Sequence, residues 1–133
     1  RTRVCEWQPV GIDSLAIAPS GTGSRSLSSS PRLAVGRENG ALELWDTETW
    51  HLRSSAPGNS RRRPRSIVWV VDEEAPKLRL ISAGLHSDVT EWDVETLEPI
   101  ETCSPGGGAV WGLAVQGQQL FAACDDGTVR VMS

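Results

Sequence analysis

Three stretches of the chain share one pattern of apolar and polar positions: an apolar strand, a tight polar turn and a second strand. They are residues 32–46, 79–93 and 119–133, and they begin 47 and 40 residues apart. The first two end in Trp45-Asp46 and Trp92-Asp93, whereas the third ends in Met132-Ser133. A period of about 40 to 45 residues with a Trp-Asp ending is typical of four-stranded propeller blades. The pattern therefore predicts an all-β fold built from antiparallel blades.

Further strand signals complete each repeat. Apolar runs that precede each hairpin predict inner strands at 12–18, 66–71 and 109–115, and weaker signals predict outer strands at 50–54 and 94–100. Asn39-Gly40 favours a tight hairpin turn, because both residue types tolerate positive φ. We therefore expect blade 1 at 12–54, blade 2 at 66–100 and an incomplete blade 3 at 109–133.

Three blades cannot close a ring, since propellers typically use about four to eight. We expect the chain to be a partial propeller belonging to a larger, seven-bladed ring. Residues 4–7 form a candidate outer strand that would close the last blade. Residues 20–31 are rich in Gly and Ser and predict a long loop between strands.

Composition narrows the kinds of chemistry that the chain can carry. It has 133 residues, a net charge of −4 and three Cys residues, none of them paired at metal-ligand spacing. We therefore expect reduced thiols, no metal site and no cofactor. No apolar run approaches the ~20 residues of a membrane span, and no nucleophile lies in a recognisable pair with a base. The sequence predicts a non-enzymatic protein without a small-molecule substrate.

One basic run stands out in this acidic chain. It comprises Arg61, Arg62, Arg63 and Arg65, between the outer strand of blade 1 and the inner strand of blade 2. Arginine donates paired hydrogen bonds to phosphate and carboxylate groups, so the run is a candidate surface for RNA or an acidic partner. The alternative is a solvated loop or part of a nuclear-import signal.

Other prominent residues fit structural roles. The candidate structural positions of the repeats are Trp45, Asp46, Trp92, Asp93, Gly40 and Gly127. Trp69 and Trp111 lie on inner strands, which predicts that they are core residues. Trp7 and Trp50 are less constrained, so base stacking stays open for them. Asp125-Asp126 is better explained by turn chemistry than by a cation site.

These motifs resemble WD40 repeats, most closely in Leu120 to Val131, although the chain has no Gly-His dipeptide. The segments Arg32–Gly40, Ser82–Leu97 and Gly107–Gly127 are also similar to the N-terminal blades of the cirhin-like family. That resemblance implies a nucleolar scaffold in the small-subunit processome, which engages the 5′ external transcribed spacer during early pre-ribosomal RNA processing. The implied partners are propeller and helical-repeat subunits, with pre-ribosomal RNA as a further candidate. The alternative is a WD40 adaptor elsewhere in the cell, such as a ubiquitin-ligase substrate receptor.

Overall fold

A computed structural model describes residues 1–4, 8–19, 32–59, 63–72 and 77–133 of the chain. Within these ranges the chain forms eleven strands in three sheets, and every neighbouring pair is antiparallel. The all-β, bladed fold predicted from the repeats is confirmed. None of the described residues belongs to a helix that is long and apolar enough to cross a membrane.

Each sheet is a simple meander in chain order. Blade 1 consists of β1 (Ile12–Ile17), β2 (Arg32–Arg37), β3 (Leu42–Asp46) and β4 (Leu52–Ala56). Blade 2 consists of β5 (Ser66–Asp72), β6 (Lys77–Ala83), β7 (Val89–Trp92) and β8 (Pro99–Cys103). Blade 3 consists of β9 (Val110–Gln116), β10 (Gln119–Cys124) and β11 (Val129–Met132). Val4 lies outside any strand, and the rest of the candidate closing strand at 4–7 lies outside the described residues.

The outer strand of blade 2 begins later than the predicted 94–100. The cause is the Asp of the Trp-Asp pair: its Oδ1 atom accepts hydrogen bonds from the Glu95 and Thr96 backbone N–H groups, at 2.8 and 3.0 Å. The Asp93 carbonyl also accepts a bond from the Leu97 N–H at 2.8 Å. These bonds hold the segment in a turn, so β8 starts only at Pro99. Blade 1 repeats this arrangement with Asp46 and the N–H groups of Glu48 and Thr49.

Blades 1 and 2 bury a shared apolar layer. Leu42 and Leu44 of blade 1 face Leu80 and Trp92 of blade 2, and none of these four side chains is more than 6% exposed. Across the same interface the Trp69 indole N–H donates to the Ala16 carbonyl at 2.9 Å. Burial of these apolar side chains stabilises the contact between blades 1 and 2.

Blades 2 and 3 bury a second layer on the opposite face of blade 2. It includes Ile81 and Val89 of blade 2 together with Val110, Leu120 and Ala122 of blade 3. Blade 2 is therefore apolar on both faces and covered on both. The far face of blade 3 is different, because Val129 and Val131 are 65% and 55% exposed among the described residues.

The loss of Trp-Asp in the third repeat has a visible consequence. Trp92 is held by a hydrogen bond from its indole N–H to the Ser82 hydroxyl, at 2.8 Å. The strand register of blade 3 matches that of blade 2, so Met132 takes the position of Trp92 and Ala122 takes the position of Ser82. Neither side chain of blade 3 can form this hydrogen bond. A cavity of about 140 Å³ borders Met132 between blades 2 and 3.

Replacing Leu80 with Ala tests the packing between blades. Because this side chain is fully buried, we expect Leu80→Ala to lower the free energy of unfolding by about 2–5 kcal/mol. The matched control is Val131→Ala on the uncovered face, where we expect a change within about 0.5 kcal/mol. Urea unfolding measures both variants, and equal losses would contradict the stacked-blade interface.

Candidate functional site

The connection from blade 1 to blade 2 lies along the rim formed by the hairpin turns. A β-carbon at Gly40 would collide with the Asn59 backbone, and one at Gly84 would collide with the Arg63 carbonyl oxygen. Glycine at both positions thus lets the connection lie directly against the turns of blades 1 and 2. The sequence-predicted basic run belongs to this connection, although Arg61 and Arg62 lie outside the described residues.

Arg63 is tied to the inner strand of blade 1. Its Nε and Nη2 atoms donate to the two carboxylate oxygens of Asp13, at 2.5 and 3.1 Å. The Asp13 side chain is only 12% exposed. The hydrogen bond from Arg63, and then the positive charges of Arg63 and Arg65, lower the pKa of Asp13, while partial burial opposes the shift. Arg63 therefore has a structural role that its place in the sequence does not reveal.

Asp13, Arg65 and Trp111 occupy equivalent positions in the three blades, and we call them the inner-rim row. In each blade, the next residue along the inner strand pairs with the same position of the second strand. Those pairs are Ser14 with Gly36, Ser66 with Ala83 and Gly112 with Ala123. The row therefore lies at one end of the inner strands, beside the turns of the rim.

The inner strands are fastened to one another just below this row. The Ser14 hydroxyl donates to the Pro64 carbonyl at the entry to blade 2. The Ser66 hydroxyl in turn accepts from the Leu113 backbone N–H, at 3.1 Å. These hydrogen bonds connect neighbouring blades, so they fix the relative positions of the three residues in the inner-rim row.

Trp111 is not the core residue that its apolar surroundings in the sequence predict. Its side chain is 51% exposed. The indole N–H donates to Asp125 Oδ1 at 3.0 Å, and the Arg65 guanidinium lies 5.8 Å from the ring centroid. Strand β9 contains a bulge between the pairs made by Val110 and Gly112, and Trp111 is the residue between them. A bulge re-aims a side chain, which accounts for the exposed ring.

The structural repeat positions take local roles. Gly40 and Gly127 have φ of 88° and 84°, as their tight turns require. Trp45 is 4% exposed and its indole N–H donates to Glu43 Oε1 at 3.0 Å. Of the tryptophans left open for stacking, Trp50 is 36% exposed at the opposite end of the sheet, and Trp7 lies outside the described residues.

The acidic turn of blade 3 is used internally. Asp126 accepts from the Thr128 backbone and hydroxyl groups and from Arg130, and these contacts lower its pKa, with the Thr128 hydroxyl bond contributing most. Among the residues that the structure describes, no three metal-ligating side chains lie together. Cys103 and Cys124 are free thiols, the first exposed and the second buried.

Solved structures identify the class of protein that this geometry defines. The chain superposes on the WD40 repeats of RRP9 with a TM-score of 0.70 and 18% identity, covering 97% of this chain and 37% of that one. It superposes on the β-propeller domain of Cps50 (Swd1) from Myceliophteria thermophila with a TM-score of 0.59 and 23% identity, covering 75% and 31%. These likenesses show the fold alone. The three sheets therefore have the fold of WD40-repeat propeller blades.

Sequence relatives narrow the assignment. U3 small nucleolar RNA-associated protein 4 of Schizosaccharomyces pombe is 32% identical over 131 residues, which are 96% of this chain and 18% of the relative. The Saccharomyces cerevisiae protein of that name is also 32% identical, over 97% of this chain and 17% of the relative. The Homo sapiens homologue, cirhin, is 28% identical over 98% of this chain and 18% of its own length. No protein-family model matches the sequence.

These relatives are homologues, so the resemblance to the cirhin-like family is confirmed. The chain spans less than a fifth of the length of each relative.

The Asp13–Arg63 pair predicts an acid-dependent loss of stability. Because the folded-state pKa of Asp13 is lowered, the pair stabilises the fold above the unfolded-state value of about 3.9. That stabilisation disappears as the pH falls through the lower, folded-state pKa. We expect Asp13→Asn to lower Tm at pH 7 and to flatten the dependence of Tm on pH between pH 5 and 2.

Asp88→Asn on the same rim is the matched control for this measurement, since it leaves the pair intact. Thermal unfolding followed by circular dichroism gives Tm at each pH. Parallel pH curves for wild type and Asp13→Asn would contradict the role assigned to the pair.

Proposed function

We propose that this chain is a non-enzymatic scaffold segment of a protein of the U3 small nucleolar RNA-associated protein 4 kind. It acts in the nucleolus, within the small-subunit processome, during early processing of pre-ribosomal RNA. Homology across 96–98% of the chain carries this proposal, since the relatives are named for their association with U3 small nucleolar RNA. The proposed protein partners are other propeller and helical-repeat subunits of that assembly.

The geometry of the blades supports a scaffold. Blades present their rim turns and outer edges, and side chains such as Ile100 on the outer strand of blade 2 are exposed. Rigid sheets that display loops are suited to holding partners in fixed positions.

We further propose that the basic run contacts the 5′ external transcribed spacer of pre-ribosomal RNA. Arg65 is exposed on the rim, and the neighbouring Arg61 and Arg62 add two positive charges to the same connection. The chain as a whole is acidic, so such a contact depends on this local patch. Phosphate contacts of this kind give affinity that is independent of sequence and sensitive to salt.

Affinity purification of the full-length protein, with and without ribonuclease, tests the proposed assembly. We expect processome subunits to copurify, and ultraviolet crosslinking to recover spacer RNA. A different set of partners that is insensitive to ribonuclease, for example ubiquitin-ligase subunits, would favour the adaptor alternative and contradict this proposal.

Removing the basic run should flatten the salt dependence of RNA binding. We expect the triple variant Arg61→Ala, Arg62→Ala, Arg65→Ala of the full-length protein to bind single-stranded RNA more weakly. Each lost phosphate contact should reduce the slope of log Kobs against log salt by about 0.7. Arg63 is left intact because its bond to Asp13 supports the fold. Fluorescence anisotropy at several salt concentrations measures the slope.

Lys77→Ala is the control for this experiment. Lys77 is exposed at the opposite end of β6, so its loss removes one positive charge away from the rim. An unchanged slope in the triple variant, or the same change in Lys77→Ala, would assign the run to a solvated loop instead.

A further inference from the structure

The exposed indole of Trp111 combines two properties that seldom occur together on a protein surface. Half of the side chain is open to solvent. The ring is nevertheless fixed, by the bond from its N–H to Asp125 and by the Arg65 guanidinium over one face. An exposed tryptophan loses little further freedom when a flat partner stacks on it, since its orientation is already set.

We propose that the inner-rim row binds single-stranded RNA, with an unpaired base stacked on Trp111 and an adjoining phosphate at Arg65. This inference rests on the proposed function, because it names the residues that would receive the RNA. Single-stranded RNA is recognised by stacking of bases on aromatic rings and on guanidinium planes. Trp111 and Arg65 supply both surfaces at one place on the rim.

Arg65 is the cation of the row that can meet a phosphate. Asp13 is occupied by Arg63, and Asp125 is engaged with the Trp111 indole. Arg65 is exposed, and its described contact is with the ring. A guanidinium that stacks on an aromatic face still presents its N–H groups for paired hydrogen bonds to a phosphate.

The other described tryptophans do not offer an equivalent surface. Trp45, Trp69 and Trp92 are 4–8% exposed and each donates its indole N–H within the protein. Trp50 is partly exposed, but it lies at the opposite end of the blades from the rim. Among the described residues, stacking of a base beside the basic run is therefore assigned to Trp111.

The test uses the full-length protein and a fluorescein-labelled ten-nucleotide oligouridylate, beside an abasic strand of the same length. We expect Trp111→Leu to weaken binding of the oligouridylate by roughly 5- to 150-fold, the change that one stacked base supplies. Trp111→Phe should retain part of the affinity, because it keeps an aromatic face. Neither variant should alter the salt slope or the affinity for the abasic strand, since the phosphate contacts remain.

Trp50→Leu is the matched control and should bind the oligouridylate like the wild type. Thermal unfolding of each variant shows whether the fold is kept. If Trp111→Leu does not fold, the affinity of Trp111→Phe for the oligouridylate still tests the stacking site. Unchanged affinity in both folded Trp111 variants would overturn the stacking site.

If the proposed RNA contact itself is wrong, the wild-type protein binds neither the oligouridylate nor the abasic strand. If RNA binding is intact in the Trp111 variants while copurifying protein subunits are lost, the ring is a protein contact and the inference is wrong. If the salt slope also falls in Trp111→Leu, the ring acts through Arg65 rather than through a base, which likewise contradicts stacking.

Discussion

Each blade has two faces to cover, and a blade cannot cover either of them alone. Blade 2 shows the constraint most clearly, because Leu80 and Trp92 face blade 1 while Ile81 and Val89 face blade 3. A four-stranded sheet of this kind gains stability from each interface with a neighbouring blade, as in other repeat proteins. Stacking of the blades is therefore the contact on which the strands, the rim and the candidate site depend.

Stacking also explains how a short acidic chain assembles a rim surface. The inner-rim row draws one residue from each blade, at positions separated by about 50 residues along the chain. Asp13 orients the Arg63 guanidinium, and Asp125 orients the Trp111 ring. One arginine of the basic run and the ring beside Arg65 are thus each oriented by a carboxylate.

The sequence predicted the bladed fold because its signals are local. Asn39-Gly40 and the Trp-Asp pairs specify turns and hairpins within a few residues of themselves. The sequence does not predict the exposure of Trp111, because a bulge in β9 changes which side its ring faces. The alternation of apolar residues does not record a bulge. The partner of Arg63 was hidden for a different reason, since Asp13 lies on another blade, 50 residues away. The sequence predicts too early a start for β8, because the turn held by Asp93 extends the loop before Pro99.

Hydrogen exchange of the 133-residue chain, resolved by strand, tests the dependence of each blade on its neighbours most directly. Blade 2 is covered on both faces, whereas Val129 and Val131 of β11 are exposed among the described residues. We expect the slowest exchange in β6 and β7, and the fastest strand exchange in β11, because opening of a repeat array begins where neighbours are fewest. Uniform protection across the eleven strands, or slower exchange in β11 than in β6, would contradict this expectation.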